Sequence, residues 1–357
     1  MTVLTADQWQ KIGEAIFKAA GASEVNAKIV TESLVDSNLA GHDSHGVIRI
    51  NQYIRYIENG YLNPAATPEI VKETPSTSLV DGKWTFGQVG AQMAMRNAIE
   101  KAKKQGIAIT GLIHANHIGR LGEYSEMASR DGMIGMVMIG GFDGVGGAQH
   151  KTGVVPFGGA RPAFGTNPLS FGIPAGDKPR VLVDFATSAV AGGKISVAQA
   201  NGVPLPPDCI LDKDGNPTTN AEDFYDGGML LSFGAHKGYG LAFVIELLSQ
   251  VLTGADQCRE EKLGGGLYTK TGTTFVVIDP AIFRPLADFE SAAGNLIAKI
   301  KDIPPAPGFE EVLVPGEPEH RSKSRRISEG IPGPATFWQE LRDTADRYGV
   351  DLTPLSQ

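Results

Sequence analysis

The sequence predicts an α/β fold in which helices pack on a sheet, preceded by a purely helical stretch. Two observations carry this reading. Through the first sixty residues apolar side chains recur at helical spacing, and from about residue 77 short runs rich in Val and Ile alternate with helical patterns. A third observation concerns backbone. The 45 glycines among 357 residues exceed the ~7% average usage, and many lie between residues 132 and 193, where tight strand-to-helix turns or backbone against a ligand are expected.

The elements follow in order. Thr5 and Gln8 form a capping box that opens a first helix, whose Trp9, Ile12 and Ile16 share one face and which Gly21 stops. Ser23 opens a second helix carrying Ile29, Leu34 and Leu39. A third is expected from Ser44–His45, with Ile50, Ile54 and Ile57 inward and Gly60 at its end. Strands are expected at Ile107–Ile113, Met133–Ile139, Val181–Val183 and Thr274–Ile278, with helices at Gly90–Lys104, Gly122–Arg130 and Gly238–Leu252. The segment Ile303–Gly308 reads as a rigid connector, and a last helix spans Ala335–Arg347. The length corresponds to about two domains of ~150 residues, and no internal repeat is visible.

Composition narrows the function. A net charge of −8 argues against a nucleic-acid binder, Arg321–Arg326 being the one basic cluster. Two cysteines, Cys209 and Cys258, make neither a disulfide framework nor a C-x-x-C pair. Met1–Asp7 lacks the flank and apolar run of a signal peptide, and no apolar stretch reaches the ~18 residues of a membrane span, so the cytosol is the expected location.

Familiar nucleotide motifs are missing. Gly144–Gln149 has glutamine where a dinucleotide fingerprint needs its third glycine. At Gly192-Gly193-Lys194 the phosphate-loop pattern fails, and no nucleophile elbow occurs. Any dinucleotide needs a different cradle.

The seven histidines say more. His42/His45 and His114/His117 form two H-x-x-H pairs, a weak metal pattern. On a helix, His45, Arg49 and Tyr53 at i, i+4 and i+8 share a face. Ser44 and His45 at a helix start offer free N–H groups to an anion, Arg49 can hold a carboxylate bidentately, and a histidine beside it can exchange a proton with a hydroxyl. That set suits a small 2-oxo or 2-hydroxy acid; a solvated helix start with a surface arginine explains the spacing equally well. His117 and Asp184 each end an apolar run, where ligands gather in α/β sheets, although Asp184 serves equally as a helix cap. Lys237 opens an apolar helix, where a cation opposes the helix dipole unless an anion binds nearby.

Together these residues resemble a known family. Ala40-Gly41-His42-Asp43-Ser44-His45-Gly46, His117-Ile118-Gly119, Phe164-Gly165-Thr166-Asn167-Pro168, Asp184-Phe185-Ala186-Thr187-Ser188, His236-Lys237-Gly238-Tyr239-Gly240-Leu241 and Val314-Pro315-Gly316-Glu317 occur in this order. The chain is similar to the malate/L-lactate dehydrogenase family of the second type, nearest its hydroxycarboxylate dehydrogenases through Gly202–Pro207 and Asn216–Asn220. The resemblance implies a non-Rossmann, mixed-sheet, three-layer α/β fold with a helical subdomain formed by the two chain ends. It implies a division into residues 1–75 plus 302–357, for substrate and dimerisation, and 76–301, for the cofactor. It also implies a homodimer, NAD as cofactor with NADP as the alternative, and hydride transfer to C2 of a 2-oxo acid.

Carried over by motif, His45, Ser44, Arg49 and His117 line the substrate site, with His45 favoured for proton exchange. The second carboxylate or side chain of a substrate is expected near Arg120 or Tyr53. Gly141, Thr166, Asn167, Asp184, Phe185, Ala186, Thr187, Ser188, His236, Lys237, Gly316, Glu317 and Pro318 match cofactor contacts, Gly141 through backbone alone because Gly140–Gly144 is glycine-rich. Other readings are reduction of a cyclic imino acid, a metal-dependent hydrolase built on the histidine pairs, and a nucleotide-binding regulator without catalysis.

Overall fold

The computed structural model describes residues 2–141, 153–260, 262–353 and 355. The near-fingerprint at Gly144–Gln149 lies outside them. The N-terminal part holds β1 (Thr2–Leu4), α1 (Ala6–Ala19), α2 (Glu24–Leu39), a 3-10 turn at Asp43–His45 and α3 (Arg49–Glu58). Next come β2 (Glu69–Glu73), β3 (Thr77–Asp81), α4 (Gly87–Gln105), β4 (Ile107–Ile113), α5 (Gly122–Arg130), β5 (Ile134–Gly140), β6 (Leu169–Ile173) and β7 (Val181–Phe185). A smaller lobe follows: α6 (Gly192–Asn201), β8 (Ile210–Leu211), β9 (Pro217–Thr218), α7 (Ala221–Tyr225) and β10 (Met229–Leu230). The chain closes with α8 (His236–Glu246), β11 (Gly272–Ile278), α9 (Leu286–Lys301), α10 (Glu317–Glu329), β12 (Ile331–Gly333) and α11 (Ala335–Arg347).

The main sheet has seven strands in the order β2-β3-β4-β11-β5-β6-β7. Only β3 and β4 run parallel, joined by α4 as a crossover; every other pair is antiparallel, so the sheet is mixed. Alternation of side chains sorts its two faces. Val137, Ile139, Phe275 and Val277 point to α4 and α5, where Met95, Ala98 and Tyr124 meet them. Met138 and Val276 point the other way, to Ile245 and Leu241 of α8. Three layers result, as expected.

The chain ends share a second core. Thr5 and Gln8 make the expected capping box, and Trp9, Ile12, Ile16, Leu34, Ile50 and Ile54 are fully buried with Ile331 and Leu341, against a buried Phe337. β1 pairs antiparallel with β12, and the Trp9 indole donates to the Ile331 carbonyl at 3.2 Å. Burying this polar edge against a backbone acceptor lets the large ring sit in the core without an orphaned donor. The basic stretch of α10 is consumed locally: Lys323 reaches Asp36 at 2.5 Å, and Arg326 grips both Asp43 oxygens at 2.5 and 2.9 Å.

Two expectations fail. The third helix begins at Arg49, not Ser44, because Gly46 (φ −89°, ψ −156°) breaks the backbone between the 3-10 turn and α3. The expected helix at Gly238–Leu252 starts at His236 and winds into a π turn at Leu247–Val251.

Candidate active site

The 3-10 turn and the loop after β4 meet at one point. Asn38 shapes the turn: its Oδ1 accepts from Val47 N at 2.7 Å and its amide donates to Asp43 at 2.6 Å. A Cβ on Gly46 would stand 2.1 Å from that Oδ1, so only glycine fits. Across the cleft, the Asn116 amide donates to the carbonyls of Trp84 and Thr85 at 3.0 and 3.2 Å, fixing the loop. The first residue of α4, Gly87, is pressed against it, since a Cβ there would lie 2.2 Å from the Asn116 carbonyl.

These devices bring His45 and His117 together, with rings stacked at 5.5 Å and 21°. Ser44 Oγ lies 3.0 Å from His45 Nδ1. Because α3 begins at Arg49, His45, Arg49 and Tyr53 do not share one helical face, and Ser44 and His45 offer no helix start to an anion. Arg49 reaches the site differently. Its Nε donates to the Ser44 carbonyl at 2.6 Å and one terminal nitrogen to Gln52, and it pairs with no carboxylate among the described residues.

Tyr53 is buried and points at His117: its hydroxyl lies 2.7 Å from Nδ1 and 2.7 Å from Gln88 Nε2. An amide nitrogen only donates, so the Tyr53 oxygen accepts there, and the same hydroxyl shares a hydrogen bond with Nδ1. With Nδ1 on Tyr53, Nε2 is the ring nitrogen left to meet a substrate. Burial is the main reason the His117 pKa falls well below the usual value, helped by Arg49 and His45. The His45 ring is lowered to about 4, again by burial first and then by Arg49, His42 and Arg120. The sequence reading missed Gln88, since a glutamine inside an apolar helix pattern gives no signal.

Tyr53 and Arg120, expected near a substrate's second group, are both engaged within the protein. Tyr53 is occupied as above, and Arg120 is 3% exposed and paired with Asp36 at 2.7 Å. The other two H-x-x-H histidines turn away from that pair, His42 to Glu319 at 3.4 Å and His114 to Asp81 at 3.2 Å. Among the described residues no group of three His, Cys, Asp or Glu could hold a metal ion.

The segments matched to cofactor contacts lie along β7 in two groups, one beyond its end and one at its start, and are tied mostly through backbone. Thr187 donates through N and Oγ1 to the Thr166 carbonyl at 2.8 and 2.9 Å, and Phe233 N reaches the Thr187 carbonyl at 3.0 Å just before α8. Asn167 is fully buried with its amide on Ala242 O and Glu246, and Ser188 bonds Val190 O, so these side chains are engaged. Asp184 accepts from Gly122 N at 2.6 Å, capping α5, and burial raises its pKa. Glu317 accepts from Val314 N and Lys301, both at 2.9 Å, beside Gly316 and Pro318 at the start of α10. Pro315 O holds Leu182 N of β7 at 3.1 Å. Gly141 follows β5 with φ +89°, and Phe185 ends β7 41% exposed, with Ala186 next in the chain. At the start of α8, His236 and Lys237 are exposed, and Lys237 pairs with no acid among the described residues.

A fold and site of this kind have relatives. Residues 4–342 match the malate/L-lactate dehydrogenase family profile. The malate/(S)-sulfolactate dehydrogenase of Methanothermus fervidus is 34% identical over 98% of this chain and 99% of its own. Hydroxycarboxylate dehydrogenase B of Escherichia coli is 37% identical over 94% and 92%. The solved sulfolactate dehydrogenase of Methanocaldococcus jannaschii superposes with a TM-score of 0.89 at 34% identity, covering 99% of both chains. With its three-layer mixed sheet and these residues in place, the chain belongs to the malate/L-lactate dehydrogenase family.

Proposed function

We propose that this protein is an oxidoreductase that interconverts a 2-oxo acid and the matching 2-hydroxy acid using a nicotinamide dinucleotide. The observation that carries the reading is His117, held through Nδ1 by Tyr53, beside an arginine with no carboxylate partner among the described residues. In this reading the helical part, residues 1–75 with 302–357 apart from β2, which joins the main sheet, supplies Ser44, His45 and Arg49, and the α/β part, residues 76–301, supplies His117.

Arg49 binds the substrate carboxylate and so orients the C2 carbonyl. That bound anion offsets the positive charge that, with burial, keeps His117 neutral in the free site, and the ring takes up a second proton. The Tyr53 oxygen can accept as well as donate, so it serves the charged ring too. In the reducing direction Nε2 gives its proton to the oxygen forming at C2 and the ring returns to neutral. His45 stacks on His117 and closes one side of the site. A nicotinamide dinucleotide, when bound, supplies the hydride and takes it back in oxidation.

One feature of the chain fits that cofactor: Lys237 at the start of α8 is exposed and pairs with no acid among the described residues, so its ammonium can meet a phosphate. We also propose a homodimer. Phe243, Val244, Leu247, Leu248, Val251 and Leu252 make an apolar stripe at helical spacing, each 38–59% exposed. The test of the activity is loss of reduced-nicotinamide absorbance with a panel of 2-oxo acids and a cyclic imino acid. Turnover of a 2-oxo acid supports the reading; turnover of the imino acid alone, or of nothing despite bound nucleotide, overturns it.

A further inference from the structure

Gln88 is the second residue of α4 and is fully buried. Its Nε2 donates to the Tyr53 hydroxyl at 2.7 Å, while its Oε1 is buried with no hydrogen-bond partner. Other glutamines nearby are held at both ends of the amide. Gln92, one turn further along α4, donates to Glu123 at 2.8 Å and accepts from Arg96 at 3.0 Å. Gln52 accepts from Arg49 and donates to Tyr56 at 3.1 Å. A buried polar atom without a bond is uncommon enough to need a reason.

That reason lies in Tyr53. Burial raises its pKa far above the usual value, so the phenol keeps its hydrogen. Its oxygen has two polar neighbours, Gln88 Nε2 and His117 Nδ1, each at 2.7 Å. With a neutral ring whose Nδ1 is bare, the hydrogen rests on Nδ1 and the Gln88 N–H on the oxygen. A charged ring carries a proton on both nitrogens, so Nδ1 donates to the Tyr53 oxygen instead. The phenol hydrogen then has no acceptor among the described residues while Gln88 still donates. A half-turn of the amide, whose oxygen and nitrogen are nearly alike in shape, brings Oε1 to that hydrogen. One amide atom is unpartnered before the turn and one after it, so the orphan does not favour either arrangement. The loop after β4 leaves room on one side: a Cβ at Gly119 would stand 3.3 Å from Nε2, and glycine, with φ +76°, has none.

We infer that Gln88 is a positioning residue of the proton step, its amide turning over as His117 is charged, from donating to the Tyr53 oxygen to accepting the Tyr53 hydrogen. No proton leaves the tyrosine or the amide; only the direction of the hydrogen bonds reverses. The inference rests on the proposed dehydrogenase reading, in which His117 alternates between neutral and charged, and adds a residue to it. The titratable groups facing His117 are Tyr53 and Arg49 of α3, His45 of the 3-10 turn and Tyr268 of the loop before β11. Arg49, Tyr56 and Glu123 act on Tyr53. All of them stay in place when Gln88 alone is changed.

The test follows kcat for reduction of the best 2-oxo acid between pH 5 and 9 in wild type, Gln88→Leu and Gln88→Glu. The alkaline limb marks where His117 loses the proton it delivers. Gln88→Leu leaves the phenol hydrogen without an acceptor in the charged state alone. Its limb is expected to move about one unit to lower pH, with kcat about 10-fold lower on that limb and KM and nucleotide affinity unchanged. Gln88→Glu restores an acceptor and is expected to return the limb to the wild-type position or above it. A limb unmoved in Gln88→Leu, or one that Gln88→Glu leaves where leucine put it, overturns the inference while the dehydrogenase reading stands. Absence of turnover in wild type removes both. A second measurement needs no change at Gln88: ring nitrogen-15 NMR of the free wild-type chain at neutral pH, with the His117 signals identified by their loss in His117→Asn. Nδ1 is expected to be bare; an Nδ1 already protonated in the neutral ring overturns the inference, because the phenol hydrogen would then have no reason to move.

Discussion

The Tyr53 hydroxyl lies 2.7 Å from Nδ1 of His117, although 64 residues separate them in the chain. The contact links a helix from the N-terminal core to the loop after a central strand. It makes the helical part more than a cover: its tyrosine sets which nitrogen of the histidine faces the cleft.

Tyr53→Phe keeps the ring packed against Phe17 and Phe86 and removes only the hydroxyl. Turnover is expected to fall about 10- to 100-fold, with nucleotide affinity unchanged and the pH profile of kcat displaced. A purely structural tyrosine would leave that profile where it was. Steady-state kinetics between pH 5 and 9 distinguish the two.

Arg49→Lys keeps the charge but loses the fork. The 2-oxo acid KM is expected to rise about 10- to 100-fold with a smaller change in kcat. In wild type, binding of an unreactive 2-oxo acid analogue to the nucleotide complex is expected to take up a proton, because the carboxylate cancels the Arg49 charge that helps to lower the His117 pKa. Calorimetry in two buffers of different ionisation enthalpy measures the uptake, and Arg49→Gln is expected to abolish most of it.

Much of this was legible in the sequence, and what was not has a physical cause. The capping box at Thr5, the bounds of the Ile107–Ile113 strand and those of the Ala335–Arg347 helix follow from local chemistry and appear as read. Where a helix begins depends on tertiary space: Gly46 is extended because Asn38 fills the volume a side chain would need. That contact spans two elements and leaves no mark on the local pattern. The same holds for Gln88 and for the buried pairing of Arg120, whose partners are brought near only by the fold. Histidine and arginine types at the site were readable; their orientation was not.

Glu123 is 8% exposed, bonded to Ser33 and to Gln92, and burial raises its pKa to about 7. The folded state thus binds this proton more tightly than the unfolded chain does. Its stabilising contribution is full below about pH 4.5 and is lost as pH rises through 7, on the order of 2–3 kcal/mol. The thermal midpoint of wild type is expected to fall between pH 5 and 8, and Glu123→Gln, which keeps both hydrogen bonds without a charge, is expected to flatten that decline. An unchanged slope in the variant would show the titration lies elsewhere.

The apolar stripe on and after α8 predicts assembly. Leu247→Lys with Val251→Lys places two charges where Leu247 is 44% and Val251 51% exposed, at no cost to the core. Sedimentation is expected to show a dimer for wild type and a monomer for the double variant. A monomeric wild type would leave the stripe without the proposed partner.

The central claim is that His117 moves the proton at the oxygen on C2. Its most direct test is His117→Asn, assayed for kcat on the best 2-oxo acid alongside the dissociation constant for the reduced dinucleotide. The account predicts a loss of about 10²- to 10⁴-fold in kcat with nucleotide binding intact. Turnover within about threefold of wild type would contradict it and pass the role to His45.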